Sequence, residues 1–220
     1  TRSNFFRAAV VATGLAAARR LAELAPNSRI VLIDEFRIGY GASGRNSGFI
    51  IDTPHLTEEL DFNANRRISR LVIAGLNELK HQIHKHDIDC EWSPRGHLTA
   101  VVQSKREAAL RATVRTLRAS NEDYQWLEGR DLSNLVGTDH YHAAVLTPRT
   151  VLMNPAAMCR GLGYTMPDNV EIFEETRVLD VIPGSPVQLR CVHGSIKARA
   201  SHVVLCRRQS VPFLIHAGKV

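Results

Sequence analysis

A glycine-rich segment with one arginine near its centre is the part of this sequence best suited to bind a ligand. Residues 39–52 read GYGASGRNSGFIID, with four glycines, two serines, one arginine and one asparagine. The unhindered amides of residues 41–44 can form a concave anion-binding nest. Ser43 adds a hydroxyl, and Arg45 adds a positive charge suited to a phosphate or an electron-rich ring. A flexible surface loop is the alternative, but a plain linker seldom embeds Arg-Asn between glycines and then enters an apolar run.

Two carboxylates stand just ahead of this segment. Residues 29–34, RIVLID, form a short β-branched run that suits a buried parallel strand; it ends in Asp34, and Glu35 follows. In a dinucleotide-binding unit, such an acid lies about 20 residues past a glycine turn and accepts hydrogen bonds from a ribose. Gly14 lies 20 residues before Asp34. It would be the third glycine of G-x-G-x-x-G, which lets the helix and strand pack closely.

The first two glycines of that turn are absent. Their positions hold Ala9 and Val11, and the valine places a branched side chain where phosphate oxygens would lie. The preceding SNFFRAA is not a clean first strand, because it carries Arg7. Residues 7–24 could instead run as one continuous amphipathic helix beside a strand. The turn alone leaves both interpretations open, and the glycine-rich segment favours the dinucleotide-binding unit.

The elements that would position these residues follow a βα order at the front of the chain, a mixed middle and a β-meander at the back. Helices are predicted over 14–25 and 57–86, from a capping box of Ser104 and Glu107, and from Asn154-Pro155 to about 165; strands are predicted over 29–34, 95–103 and repeatedly from 170 onward. This order predicts an α/β fold. A cofactor-binding domain, residues 1–90 and 150–220, is expected to be interrupted by residues 91–149, part of a substrate domain.

Composition excludes several classes of protein. The 220 residues are 44% hydrophobic, enough for a sizeable core, and the net charge of +6 is spread as isolated pairs. The aromatic residues are not interleaved with the basic ones along the sequence, so no nucleic-acid partner is expected. No apolar run approaches membrane-spanning length, and no signal peptide is recognisable. The four cysteines form no C-x-x-C pair, which predicts reduced thiols in a cytoplasmic protein.

Other chemistry has weaker support. His81 and His84 share a helical face, but their spacing matches no established metal motif and a polar helix end explains them, so no metal is predicted. His140 and His142 could face a substrate from alternate strand positions, although a surface turn is the favoured interpretation. No serine lies in a G-x-S-x-G elbow, so a hydrolase triad has no nucleophile.

The run RIVLIDEFRIGYGASGRNSGFIIDTPH resembles the N-terminal region of FAD-dependent oxidoreductases of the D-amino-acid oxidase type. The likeness extends from Gly14 to Cys206, with GHLTAV, GTDHYHAAVLTP, VLMNPAAMCRGL and EETRVLDV in the places of similar family segments. It implies an FAD-binding Rossmann-like domain with an inserted α+β substrate domain. It also implies oxidation of the C–N bond of a small amine or amino acid by hydride transfer to the flavin. No catalytic acid or base is identified.

The resemblance assigns each candidate cofactor-binding residue a role. Gly14 would belong to the pyrophosphate turn, and Asp34 or Glu35, with Glu35 at the position usually cited, would bind the adenosine ribose. Val178 would hold the adenine through its backbone. Two sets lie in the glycine-rich segment: Gly41, Ala42 and Ser43 would meet the pyrophosphate and ribityl chain, and Arg45, Asn46, Ser47 and Gly48 would lie along the flavin ring.

The sequence also departs from the family pattern. Besides Ala9 and Val11, it has Arg207-Arg208-Gln209 where the family has small residues and a glycine. Family members are considerably longer, so the fold is expected to be incomplete at the C-terminus. Two alternatives to an FAD-dependent oxidoreductase stay open. One is a non-catalytic remnant that binds no flavin; the other, less well supported, is an NAD(P)-dependent dehydrogenase.

Overall fold

The computed structural model describes residues 4–8, 12–51, 62–192, 197–206 and 213–216. In chain order, the elements are β1 (Asn4–Ala8), α1 (Ala12–Leu24), β2 (Arg29–Ile33), β3 (Phe49–Ile50), α2 (Phe62–Lys85), β4 (His97–Val101), a 3-10 turn (Ser104–Arg106), α3 (Glu107–Ala119), β5 (Gln125–Glu128), α4 (Gly129–Val136), β6 (Ala143–Thr147), β7 (Val151–Leu152), α5 (Pro155–Tyr164), β8 (Val170–Phe173), β9 (Val178–Ile182), β10 (Val187–Cys191), β11 (Lys197–Ala200), β12 (His202–Leu205) and β13 (Phe213–His216). They fall into two compact units. The first comprises Thr1–Ser47, Lys85–Cys90 and Asn154–Val220, and the second Gly48–His84 and Glu91–Met153.

A five-stranded sheet forms the centre of the first unit, with the strand order β13-β12-β1-β2-β8. The pairs β12–β1, β1–β2 and β2–β8 are parallel, and only β13 runs antiparallel to its neighbour. The chain moves outward from β1 to β2 and β8 on one side, then returns to place β12 on the other. Open α/β sheets bind ligands beyond the carboxyl ends of their strands, where the strand order reverses in this way.

β1 corrects two expectations. Arg7 argued against a clean first strand, yet Asn4–Ala8 form one, with β2 and β12 on either side. A strand between two parallel neighbours is held by backbone hydrogen bonds on both edges, which a single-sequence pattern does not register. A continuous helix over 7–24 is therefore wrong, because the helix begins at Ala12. Residues 9–11, where the two expected glycines are replaced, lie outside the described residues.

Apolar side chains hold the parallel sheet and the β-meander of the first unit together. β2 is buried along its last four residues, as its sequence predicts. The meander has the order β11-β10-β9 and packs against the sheet. One buried cluster joins the two: Val31, Ile33, Val187, Leu189, Ala200 and Val203. Burying a Val, Leu or Ile side chain contributes about 1.5–3 kcal/mol, so this cluster fixes the sheet beneath the predicted site.

Two helices of the first unit carry recognisable sequence signals. Leu15, Ala18 and Ala22 form the buried stripe of α1. The predicted cap of α5 is confirmed, because the Asn154 side chain accepts a hydrogen bond from Ala157 N at 3.0 Å and a proline opens the helix.

A buried arginine anchors α1. Arg19 is only 5% exposed, and its guanidinium donates to Leu162 O at 3.0 Å and Thr165 Oγ1 at 2.9 Å. It also lies 2.9 Å from His86 Nε2. Burial lowers the pKa of Arg19, which Glu23 partly offsets.

The second unit is built on a three-stranded antiparallel sheet with the order β4-β6-β5. Side chains alternate between its faces, so Ala143 and Val145 pack with Leu110 and Leu117 of α3. On the other face, Ala144 packs with Leu132 of α4. The predicted capping box is wrong, since Ser104 starts a 3-10 turn and α3 begins at Glu107. None of the described helices is long and apolar enough to cross a membrane.

Candidate functional site

The glycine-rich segment begins its contact with the fold at the N-terminus of α1. Ala12 N donates to Ser43 Oγ at 3.5 Å, across 31 residues of sequence. Ser43 is half-buried at this position. The first amides of a helix have no partner within the helix and carry its positive dipole end, so they attract anionic groups. The structure therefore brings the predicted loop to the start of the predicted turn helix.

Gly44 is required by the path of the chain through this segment. A Cβ atom there would lie 1.8 Å from Gly39 O and 2.6 Å from the Gly39 carbonyl carbon. Gly39 itself has a φ of +79°, a conformation that favours glycine. Two turn hydrogen bonds tighten the same stretch, from Gly44 N to Gly41 O at 3.0 Å and from Arg45 N to Ala42 O at 3.3 Å. The loop is thus a defined turn.

Asn46 holds this turn from the side. Its Nδ2 donates to Ala42 O at 3.1 Å and to Ser43 O at 2.9 Å. Meanwhile the amides of Gly41, Ala42 and Ser43 donate no hydrogen bond to any described residue. Three consecutive amides without such a partner, in a turn with fixed carbonyls, are the feature expected of an anion-binding nest.

Arg45 keeps its charge available. Its guanidinium lies 3.8 Å from the centre of the Tyr40 ring, and no described carboxylate forms an ion pair with it. Ser47 is exposed, like Arg45 and Asn46. Gly48 is buried with a φ of +78°, and its carbonyl accepts a hydrogen bond from Met153 N at 3.0 Å. The stacking on Tyr40 was not predicted, although the neighbouring aromatic residue was visible in the sequence.

The two candidate ribose acids lie at the end of β2 and point to different partners. Asp34 is 9% exposed, and its Oδ1 accepts a hydrogen bond from Phe36 N at 2.7 Å. Glu35 is exposed, with its carboxylate 3.5 Å from Arg177 Nε. A carboxylate committed to its own loop is less available to a ligand than one held by an exposed ion pair, which is worth little in water.

Val178 follows two residues that contact these acids. Thr176 N donates to Asp34 O at 2.7 Å, and Arg177 reaches Glu35, so the residue that follows them is brought to the end of β2. Val178 is the first residue of β9 and packs against the buried cluster described above. Glu174 Oε1 accepts from Ile38 N at 2.5 Å and further ties this segment to the loop after β2. None of these three contacts was predicted from the sequence.

Gly14 is buried in the first turn of α1, in keeping with close helix–strand packing. The structure joins Ser43 to the start of this helix, and separately joins the β2 acids to Val178. Both groups belong to the first unit and lie on segments that follow the carboxyl ends of its strands.

Among the described residues, two thiols are shielded by burial and no metal-binding cluster is found. The thiols of Cys159 and Cys191 are buried, and burial raises the pKa of each, which disfavours the reactive thiolate. None of the four cysteines forms a disulfide. Across the described ranges, no group of three or more His, Cys, Asp or Glu side chains could hold a metal ion. His142 lies 3.0 Å from Glu107 at the surface of the second unit.

A parallel sheet, a helix N-terminus after its first strand, a glycine-rich loop and an acid after its second strand are the parts of a dinucleotide-binding fold. The chain belongs to the family of FAD dependent oxidoreductases known as DAO, whose model matches residues 12–214. The predicted α/β fold of this family is therefore confirmed.

Individual proteins with similar sequences or structures are oxidoreductases, oxidases or deaminases by name. The chain is 25% identical over 194 residues to gamma-glutamylputrescine oxidoreductase of Escherichia coli (strain K12), covering 85% of this chain and 45% of that protein. Glycine oxidase from Geobacillus kaustophilus matches in structure with a TM-score of 0.74, 18% identity, and 93% of this chain against 55% of that one. L-Amino acid deaminase from Proteus myxofaciens has a TM-score of 0.70 and 19% identity, with 93% and 45% covered. The chain thus spans about half the length of these relatives.

Proposed function

We propose that this chain binds FAD and belongs to an oxidoreductase that oxidises the C–N bond of an amine or amino acid. The observation that carries the proposal is the turn at 41–45, where three consecutive amides without a described partner meet the N-terminus of α1 beside an arginine that forms no described ion pair. These groups suit the pyrophosphate and the ring of a dinucleotide.

The residues present fit such a cofactor. Gly41, Ala42 and Ser43 would donate their amides to phosphate oxygens, and the Ala12–Ser43 contact holds that nest against α1. Glu35 would accept hydrogen bonds from the ribose hydroxyls. Only its exposed ion pair with Arg177 would have to break, and such a pair is worth little in water. The backbone of Val178 would border the adenine. Gly14, buried in α1, would let the turn approach the sheet.

The remaining loop residues would act on the ring. Bound FAD supplies a flavin that accepts a hydride from the carbon next to the substrate nitrogen. Arg45, stacked on Tyr40, would place a positive charge near the ring and stabilise negative charge that develops there. Asn46 would act chiefly through the loop, because its amide is committed to two carbonyls of the turn. Ser47 and Gly48, the next two residues of the segment, would also lie along the ring.

The proposal keeps the domain bounds predicted from the sequence. Residues 1–90 and 150–220 would form the FAD-binding domain, and 91–149 would form part of the substrate domain, although residues 48–84 fall within the second compact unit. The oxidases and deaminases among the similar proteins support a small amine or amino acid as the substrate. Four buried cysteines, none of them in a disulfide, support a cytoplasmic location, where thiols stay reduced.

One alternative has an observation in its favour. Ala9 and Val11 stand where two turn glycines are expected. A non-catalytic member of the family that binds no flavin would account for these two substitutions. Flavin binding therefore decides between the two functions, independently of any assay of turnover.

The test is titration of the purified chain with FAD, followed by flavin fluorescence and by calorimetry. We expect saturable binding that Gly41→Asp weakens by about tenfold, ~1.4 kcal/mol, because a carboxylate would face the pyrophosphate. A Cβ at Gly41 meets no atom within 4 Å, so the variant should fold.

Gly75→Asp is the matched control, since Gly75 is an exposed glycine of α2 whose Cβ would also meet nothing within 4 Å. We expect it to bind FAD as the wild type does. A folded wild-type chain that binds no FAD would favour the non-catalytic alternative. Equal losses in the two variants would remove the loop from the proposal.

A further inference from the structure

A basic surface lies in the second unit, far from the glycine-rich segment in the sequence. It is a groove of about 240 Å³ between α3 and β5, here named the arginine groove. Its lining consists of Arg111, Val114, Arg115, Arg118, Tyr124 and Trp126. Nothing in the proposed flavin chemistry uses these residues.

Three arginines of the groove repeat at the spacing of one helical face. Arg111, Arg115 and Arg118 stand at i, i+4 and i+7 on α3. Like charges at this spacing destabilise a helix, so such a stripe has a cost unless anions compensate it. A bound anion would relieve the repulsion between them.

Two of the arginines are held in place by aromatic rings. Arg111 lies 4.6 Å from the centre of the Trp126 ring and pairs with Glu107 at 2.6 Å. Arg118 lies 5.7 Å from the centre of the Tyr124 ring and donates to its hydroxyl. Because the only carboxylate among these partners is Glu107, the charge of Arg118 is not neutralised by its own contact.

Arg115 is the third arginine of the groove, and its charge is not paired with a carboxylate of the described residues. It is exposed between the other two and has no ion pair with any described residue. Glu128, the nearest acid along β5, accepts from Trp126 Nε1 at 2.8 Å instead. The groove therefore offers two cations to a ligand, with aromatic surface next to them.

The volume and the lining residues of the arginine groove restrict the kind of ligand that it can bind. A volume of 240 Å³ exceeds the cavity of about 150 Å³ that holds one benzene ring, and lies below the range of about 300–1,000 Å³ for drug-sized ligands. Guanidinium and aromatic planes both stack on flat rings, and the guanidinium fork matches carboxylate and phosphate. We infer that the arginine groove binds a small anion made of a single flat ring and one carboxylate or phosphate group. This inference does not depend on the proposed flavin site.

The test uses phenyl phosphate as the probe and the fluorescence of Trp126 as the readout. The chain has two tryptophans, so Trp92→Phe leaves Trp126 as the single tryptophan, which is excited at wavelengths that the four tyrosines do not absorb. We expect a saturable change with a Kd on the order of 1 mM, typical of so few ligand atoms. Calorimetry supplies a second readout that does not require a fluorescence change.

Variants and related probes separate this site from general charge attraction. We expect Arg115→Gln to weaken binding about fivefold or more, and Arg130→Gln, at another exposed arginine without a described ion pair, to leave it unchanged. Benzoate distinguishes a carboxylate ligand from a phosphate one. Inorganic phosphate and benzyl alcohol, each lacking one half of the probe, should bind about tenfold more weakly.

Three results would overturn the inference. The first is the absence of saturation in both fluorescence and calorimetry. The second is an equal loss in Arg115→Gln and Arg130→Gln, which would indicate attraction to overall charge. The third is inorganic phosphate binding as tightly as phenyl phosphate, which would exclude a role for the rings.

Discussion

Replacing Gly44 by alanine tests whether the turn described here exists. The added Cβ would lie 1.8 Å from Gly39 O and 2.8 Å from the Gly39 Cα, and both are backbone atoms that cannot rotate away. The backbone would have to move by roughly 1 Å or more to reach an ordinary contact distance. That movement would separate Ser43 from Ala12.

The expected cost can be assembled from these contacts. Overpacking of this kind costs about 1–3 kcal/mol, and each lost hydrogen bond about 0.5–1.5 kcal/mol. We therefore expect Gly44→Ala to lower the free energy of unfolding by about 2–3 kcal/mol, with the loop finding a new path before the strain rises further.

Gly41→Ala is the control within the same turn. Its Cβ would meet no atom within 4 Å, and Gly41 is not among the residues with a positive φ. Such a change restricts the unfolded chain and should raise stability by about 0.4–1 kcal/mol. The two variants should thus change stability in opposite directions, and FAD affinity should fall far more in Gly44→Ala.

Urea denaturation followed by circular dichroism measures both variants. If Gly44→Ala unfolds within about 0.5 kcal/mol of the wild type, in the range of ordinary surface substitutions, the close approach to Gly39 is not a feature of the folded protein. The proposed binding of FAD by this loop would then have no geometric basis.

Three further predictions concern the framework of the first unit. Asn154→Ala should lower the free energy of unfolding by about 1 kcal/mol, measured in urea, because the Ala157 amide loses its cap; Asn154→Asp should retain it. Arg19→Met should cost about 1–3 kcal/mol in the same assay, since the aliphatic stem stays but the buried acceptors lose their donor; an unchanged midpoint would contradict this. Glu171→Gln tests a dependence of stability on pH. The hydrogen bond from Arg29 lowers the pKa of Glu171 in the folded protein. The pair therefore stabilises the fold fully above the unfolded-state pKa of Glu171, and this stabilisation is lost as the pH falls through the folded-state pKa. The variant should lose about 0.2–1 kcal/mol near neutral pH and show a shallower loss below about pH 4.5; parallel profiles would refute the pair's contribution.

Local sequence signals predicted those parts of the fold that depend on local physics. The run at β2, the Asn154-Pro155 start of α5 and the special glycines around Ser43 were all visible, because burial of a strand, capping and tight turns leave short-range patterns. The anion-binding nest at 41–44 stays a prediction, whereas the contact of this turn with Ala12 is seen only in the folded structure.

What the sequence missed depends on distant neighbours. β1 was not predicted because its stability comes from β2 and β12, which are far apart along the chain. The capping box at Ser104 was predicted wrongly because Glu107 is used by Arg111 and His142 instead. The arginine groove was not predicted, because its arginines lie on α3 and its aromatic rings lie in or next to β5. They form one surface only when these two elements pack side by side.

The first unit is assembled from three separated stretches of chain, and this limits how it can be dissected. A shortened polypeptide that joined residues 1–47 directly to 154–220 would omit Lys85–Cys90. It would thereby delete His86, one of the acceptors around Arg19, and leave that buried cation with fewer partners. Any minimal version of the first unit must therefore carry the short middle stretch, supplied either on a designed linker or as a separate peptide.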